Sequence, residues 1–158
     1  THCSNNYGPM QYPEKLIPVI ITKALNGSPI PIYGDGLQIR DWVHVQDHCS
    51  AIWTVLNHGC VGETYNIGGN AELTNIEVTR SICAYLDEHY PNPKYSYLSL
   101  IEHVNDRLGH DRRYAIDISK INSNLGWFPK ETFESGLEKT VEWYVKNPTW
   151  IETATQSK

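Results

Sequence analysis

Pro29-Ile30-Pro31-Ile32-Tyr33-Gly34-Asp35-Gly36-Leu37-Gln38-Ile39-Arg40-Asp41-Trp42-Val43-His44-Val45 holds two strand-like runs, at 29–33 and 39–45, around a turn-forming Gly-Asp-Gly cluster. The period then changes. Over 47–58, Cys49, Ile52, Trp53 and Leu56 fall at i, i+3, i+4 and i+7, one face of a helix. Asp47 is the candidate N-cap of that helix and Gly59 its stop. Strand, turn, strand and helix in succession set the class as α/β or α+β.

The alternation continues outward. Upstream, an apolar run at 17–26 follows Pro13 and Pro18, prolines suited to a first helical turn, and ends at the C-cap pair Asn26-Gly27. Downstream, 63–68 is strand-like, and Thr74 to Glu77 has the spacing of a capping box ahead of a helix at 75–88 with Val78, Ile82 and Leu86 four apart. The stretch 95–104 alternates like a strand, and 113–116 is a shorter one. A helical turn at 119–125 ends at Gly126. The last helix spans 133–146, capped by Thr132, with Phe133, Leu137, Val141 and Tyr144 as its stripe and Asn147-Pro148 as its end.

Composition narrows the function. The 158 residues fit one domain, and 40% hydrophobic content with 20% charged residues is ordinary for a globular protein. A net charge of −5 removes the diffuse basic footprint of nucleic-acid binding. The longest apolar run, near 16–21, is broken by Pro18 and falls far short of the ~20 residues that a membrane span needs. Cys3, Cys49, Cys60 and Cys83 show no paired spacing, so reduced thiols and a cytoplasmic location are expected. The chain opens on Thr1, and its one methionine is Met10, which reads as a fragment with an upstream part missing.

No complete catalytic set is legible. Gly34-Asp35-Gly36 lacks the third glycine and the following helix of a dinucleotide loop. Tyr90 and Lys94 have the Tyr-x-x-x-Lys spacing, but Pro91 and Pro93 between them make the required helix very costly. His44, Asp47 and His48 invite a metal, yet His44 belongs to the strand pattern, and no metal site is expected. Three polar clusters remain. Ser4 to Pro9 gathers amides, a phenol and turn formers, as an Asx-rich chain reversal also would. Arg40-Asp41-Trp42 offers a guanidinium that binds phosphate through two donors, or a surface ion pair. Residues 106–114 place Arg107, Arg112 and Arg113 and His110 around Gly109, a concentration suited to a small phosphorylated molecule. Lys15 adds a charge at the entry of the first helix, beside unpaired N–H groups.

At these clusters the chain resembles a known family. Ser4-Asn5-Asn6-Tyr7-Gly8-Pro9, Pro13-Glu14-Lys15-Leu16-Ile17-Pro18, Pro31-Ile32-Tyr33-Gly34, Arg40-Asp41-Trp42, Tyr65-Asn66-Ile67-Gly68-Gly69, Asp106-Arg107 with Gly109-His110-Asp111-Arg112-Arg113-Tyr114, and Leu125-Gly126-Trp127 recur in that order in dTDP-glucose 4,6-dehydratases. Thr140-Val141-Glu142-Trp143-Tyr144 is similar to theirs as well. The likeness covers about residues 1–150 and places the chain in the extended short-chain dehydrogenase/reductase superfamily.

The resemblance implies an α/β fold: the carboxyl-terminal, substrate-binding lobe of such an enzyme, with remnant strands of a Rossmann sheet. Residues 1–158 would form one substrate-binding portion, with 1–8 and 62–69 as Rossmann strands and loops. NAD would be held mainly by an absent amino-terminal domain. In the family, NAD⁺ oxidises the glucose C4 hydroxyl, water leaves across C5 and C6, and the hydride returns to C6. The tyrosine base, its lysine and an acidic pair belong to the missing half, so no catalytic residue is assigned here and the chain alone is expected to be inactive.

Carried over by position, Asn5 would contact the dTDP-sugar and Asn6 the cofactor side. Lys15 and Leu16 would touch the substrate, Lys15 near the diphosphate. Pro31, Ile32 and Tyr33 would line the nucleotide pocket, Arg40 would pair with the diphosphate, and Asn75 would hydrogen-bond the nucleotide. Asp106, Arg107, Leu108, Gly109 and His110 would close over it, Arg107 as a second phosphate partner. Leu108 replaces the family's usual proline, which frees φ and adds a backbone donor. Exposed strand edges would favour self-association or a homodimer. Two alternatives stand beside this reading: a related sugar-nucleotide epimerase or decarboxylase with another nucleobase, and a non-catalytic nucleotide-binding or interaction module. The run 109–113 is closer to the dehydratases.

Overall fold

The structure, a computed structural model, describes residues 1–156. The chain runs through β1 (His2–Cys3), β2 (Asn5–Tyr7), α1 (Leu16–Leu25), β3 (Ile30–Tyr33), β4 (Ile39–His44), α2 (Val45–His58) and β5 (Asn66–Ile67). It continues through β6 (Glu72–Thr74), α3 (Asn75–His89), a 3₁₀ turn at Tyr97–Leu100, β7 (Ile101–Val104), β8 (Arg113–Tyr114), α4 (Ser119–Leu125), α5 (Phe133–Lys146) and α6 (Pro148–Gln156). Helices and strands alternate as an α/β chain should. No helix among the described residues is long and apolar enough to cross a membrane.

Strand β4 is the hub. It pairs in parallel with β2 and β8 and antiparallel with β6, so that Asn5 lies opposite Trp42, and Arg40 lies opposite both Leu73 and Tyr114. Strand β3 pairs in parallel with β7, and β1 with β5, where His2 lies opposite Asn66. The Gly34-Asp35-Gly36 turn therefore redirects the chain from one sheet to another and closes no hairpin. Both glycines have positive φ, 59° and 72°, which the turn requires.

Local chemistry explains the helices near β4. Helix α3 opens on a complete capping box: Thr74 accepts from the Glu77 N–H, and the Glu77 carboxylate accepts from the Thr74 N–H at 2.8 Å. Thr132 and Ser135 build the equivalent box on α5. Helix α1 ends at Asn26, with Gly27 at φ 64°. A core of α1, α3 and α5 follows, packing Ile17, Ile20 and Ile21 with Val78, Ile82, Leu86 and Val141. A smaller cluster joins α2 and α4 to β5 through Ala51, Tyr65, Ile67, Ile121 and Trp127.

Several expectations need correction. Helix α2 begins at Val45, and Asp47 does not cap it. Asp47 is buried in the first turn, and its carboxylate accepts from the Glu131 N–H at 2.9 Å. The stripe of Cys49, Ile52, Trp53 and Leu56 faces outward and is exposed, while Asp47 and Ala51 are buried. The expected strand at 95–104 is half 3₁₀ turn, because the Asp87 carboxylate accepts from the Ser96 hydroxyl and the Tyr97 N–H and Ser96 caps Leu98. Pro148 starts α6, its missing N–H costing nothing in a first turn. Residues 5–7, read as a polar turn, form β2, and the strands near 63–68 and 113–116 shrink to β5 and β8.

Beside the hub sits a joint between sheets. Asp41, 1% exposed, accepts from the backbone N–H groups of Gly69 at 3.0 Å and Ala71 at 2.8 Å. At Gly69 a side chain would collide with the Trp42 carbonyl, so only glycine lets the β5–β6 connection cross β4 there.

Candidate functional site

One cavity of about 560 Å³ opens beside β4. The strand contributes Arg40 and Trp42, two residues apart and so on one face. Alternation on β3 likewise presents Pro31 and Tyr33. The start of α1 supplies Leu16 and Val19, with Glu14 and Lys15 just ahead of it, and β2 and α3 supply Asn5 and Asn75. Arg107 and His110 complete the lining from the loop after β7.

The electrostatics are lopsided. Lys15, Arg40 and Arg107 bring three cations against the Glu14 carboxylate, in a chain of net charge −5. Glu14 pairs with Lys15 at 3.2 Å, both side chains more than half exposed, an interaction that solvent screens to little. Arg40 is buried. Its guanidinium donates to the Ile39 carbonyl at 2.7 Å and the Asp111 carbonyl at 2.9 Å, two of its five N–H groups. Among the described residues no carboxylate lies within ion-pair distance of Arg40 or Arg107. A buried guanidinium held on neutral carbonyls keeps its remaining N–H donors for an anion. The apolar wall of Leu16, Val19, Pro31, Tyr33 and Trp42 and the amides of Asn5 and Asn75 add stacking surface and hydrogen-bonding edges.

Asn5, Lys15, Leu16, Pro31, Tyr33, Arg40, Asn75, Arg107 and His110 thus share one cavity. Ile32 does not: strand alternation turns it into the core at 1% exposure. Leu108 projects wholly into solvent, and Gly109, φ 70°, has open space beside it. Asp106 is also outside the lining. It accepts from the Arg107 N–H, from His110 Nδ1 and from Gln38 Nε2, and these bonds, His110 foremost, hold its carboxyl below the usual range. Glu14, Val19 and Trp42 were missed, although the two-residue period of β4 already joins Trp42 to Arg40.

Asn6 is elsewhere. Its Oδ1 lies 2.7 Å from His48 Nδ1, and its amide nitrogen donates to the Ser4 carbonyl. Burial lowers the proton affinity of His48, and that of His44 too, neither of whose ring nitrogens has a hydrogen-bond partner among the described residues. Among those residues no group of three or more His, Cys, Asp or Glu side chains could hold a metal ion. Tyr90 to Lys94 is non-helical, so that pair forms no catalytic dyad. Among the described residues no glycine-rich turn leads from a strand into a helix, so a dinucleotide's pyrophosphate finds no such cradle here.

Residues 1–140 match the family model described as GDP-mannose 4,6 dehydratase. The chain belongs to this family. Within it, a dTDP-glucose 4,6-dehydratase of Xanthomonas campestris is 58% identical over 156 residues, which are 96% of this chain and 44% of the relative. One from Escherichia coli is 59% identical over 152 residues, 96% of this chain and 42% of the relative. The crystal structure of dTDP-glucose 4,6-dehydratase from Bacillus anthracis in complex with NAD is 55% identical, with a TM-score of 0.86 over 96% of this chain and 46% of that one. The chain therefore spans less than half the length of the curated relatives it matches.

Proposed function

We propose that this chain is the sugar-nucleotide-binding portion of a dTDP-glucose 4,6-dehydratase, the whole of which converts dTDP-glucose to dTDP-4-keto-6-deoxyglucose with loss of water, using NAD. The observation that carries this reading is the buried Arg40, free of any carboxylate partner among the described residues, sharing one cavity with Lys15 and Arg107. A pyrophosphate supplies the dispersed negative charge that such a set neutralises, and guanidinium groups match its geometry. The apolar wall suits a nucleobase and sugar, with Asn5 and Asn75 as polar edges. Binding at this remote handle serves catalysis by orienting the attached hexose.

The same reading assigns 1–8 and 62–69 to a larger Rossmann sheet, and β1 and β5, paired in parallel, support it. NAD is then held mainly by the rest of the protein, which also supplies the acid and base, and this chain by itself is inactive.

Titration calorimetry of the 158-residue chain tests the reading. It should bind dTDP in preference to UDP, and Arg40→Ala and Arg107→Ala should each weaken binding by about 10- to 100-fold, the worth of a charged hydrogen bond. Equal or reversed nucleobase preference overturns the dTDP assignment. Unchanged affinity in both variants overturns the pyrophosphate site. Turnover of dTDP-glucose by the chain with NAD overturns its inactivity.

A further inference from the structure

The loop 105–112 carries Arg107 and His110 into the cavity, and its attachments define how. At its far end the Arg40 guanidinium donates to the Asp111 carbonyl, and Arg112 donates to both Asp35 oxygens at 2.9 and 2.8 Å. At its near end, among the described residues, the side-chain attachment is the Asp106 carboxylate. Asp106 Oδ1 accepts from the Arg107 N–H at 2.9 Å and His110 Nδ1 at 2.7 Å, while Oδ2 accepts from Gln38 Nε2 at 3.1 Å. Between the two ends, Leu108 and Gly109 lie open to solvent.

Gln38 is the unusual partner. It is 2% exposed, and its Oε1 has no hydrogen-bond partner among the described residues, so the bond from Nε2 to Asp106 is what its side-chain amide makes there. A carboxylate only accepts, which dictates that the amide nitrogen faces it. Gly34 leaves the seat: a Cβ there would stand 2.9 Å from Asp106 Oδ2. A buried glutamine half-satisfied in this way is costly, and the bond it does make is correspondingly consequential.

We propose that Asp106 and Gln38 are a positioning pair, which contacts no ligand but holds Arg107 and His110 at the cavity by tying their loop to the segment just before β4. The inference rests on the sugar-nucleotide reading for its consequence and on the loop's attachments for its geometry. Asp106 links the two cavity residues directly, one through the backbone of Arg107 and one through the imidazole of His110. With Nδ1 given to Asp106, the Nε2 edge of His110 is the one left for the cavity.

The test uses the 158-residue chain, with dTDP as the probe, and reads amide hydrogen exchange over 105–112 beside calorimetric affinity. Gln38→Leu should raise exchange over 105–110 while leaving α3 unchanged, and should weaken dTDP binding by about tenfold, as loss of a bond to a charged group does. In an Arg107→Ala/His110→Ala background the same change should cost less than about twofold, because it acts through those residues. An equal loss in both backgrounds, or unaltered exchange, overturns the pair. Should Gln38→Leu not fold, Asp106→Asn, whose side chain is 41% exposed, is read by the same two measures. A wild-type chain that fails to bind dTDP overturns the sugar-nucleotide reading instead, and the exchange data still decide the tie.

Discussion

Helices α3 and α2 carry apolar stripes of the same period, and only one of them is covered. Val78, Ile82 and Leu86 on α3 are fully buried against α1 and α5, whereas on α2 Ile52 is 44%, Trp53 68% and Leu56 75% exposed. Helix α2 instead buries Asp47 and Ala51, using the carboxylate to hold the Glu131 N–H. Periodicity reports which residues share a face, and it is silent about what lies against that face. The α1–α3–α5 side closes on itself; the α2–α4–β5 side has a small cluster and a bare stripe.

Substitutions can break this contrast. Leu86→Ala on α3 should lower unfolding free energy by about 2–5 kcal/mol in urea titration, the cost of a core cavity. A loss below 1 kcal/mol would mean that α3 is no better packed than the outer face of α2 (about the scale of a surface change). Next in size, Gly136→Ala should destabilise by about 1–3 kcal/mol, since a Cβ there runs into the Tyr7 phenol and the His44 ring. Removing the α3 capping box with Thr74→Ala should cost about 1 kcal/mol and show as a lower Tm. At the small end, Leu56→Ser on α2 should move stability by no more than about 0.5 kcal/mol. A larger loss would show that the α2 stripe is covered in solution.

Much of the secondary structure was legible because its signals are local. The Thr74 box, the Asn26-Gly27 end and Gly126, at φ 66°, each act through neighbours in sequence. What escaped depends on distant partners. Asp47 looks like an N-cap until Glu131 arrives, and 95–104 looks like a strand until Asp87 captures Ser96 and Tyr97. Strand β2 is too short to declare itself without β4 beside it. The cavity was legible where motifs marked charge, at Lys15, Arg40 and Arg107, and failed at Ile32, where alternation had to be applied within the motif. Asp106 lies in the expected loop but outside the cavity lining, and its partner Gln38 bears no motif at all.

The crossing at Gly69 has a consequence for how this scaffold can diversify. There the β5–β6 connection meets β4 main chain against main chain, locked by Asp41, on the same strand that sends Arg40 and Trp42 to the cavity. Inheritance of the architecture and tuning of ligand preference are therefore written in alternate letters of one short word. The cavity letters answer to packing as well, since Trp42 belongs to the core and Arg40 holds the Asp111 carbonyl, and a random library at position 69 selected for folding would return glycine.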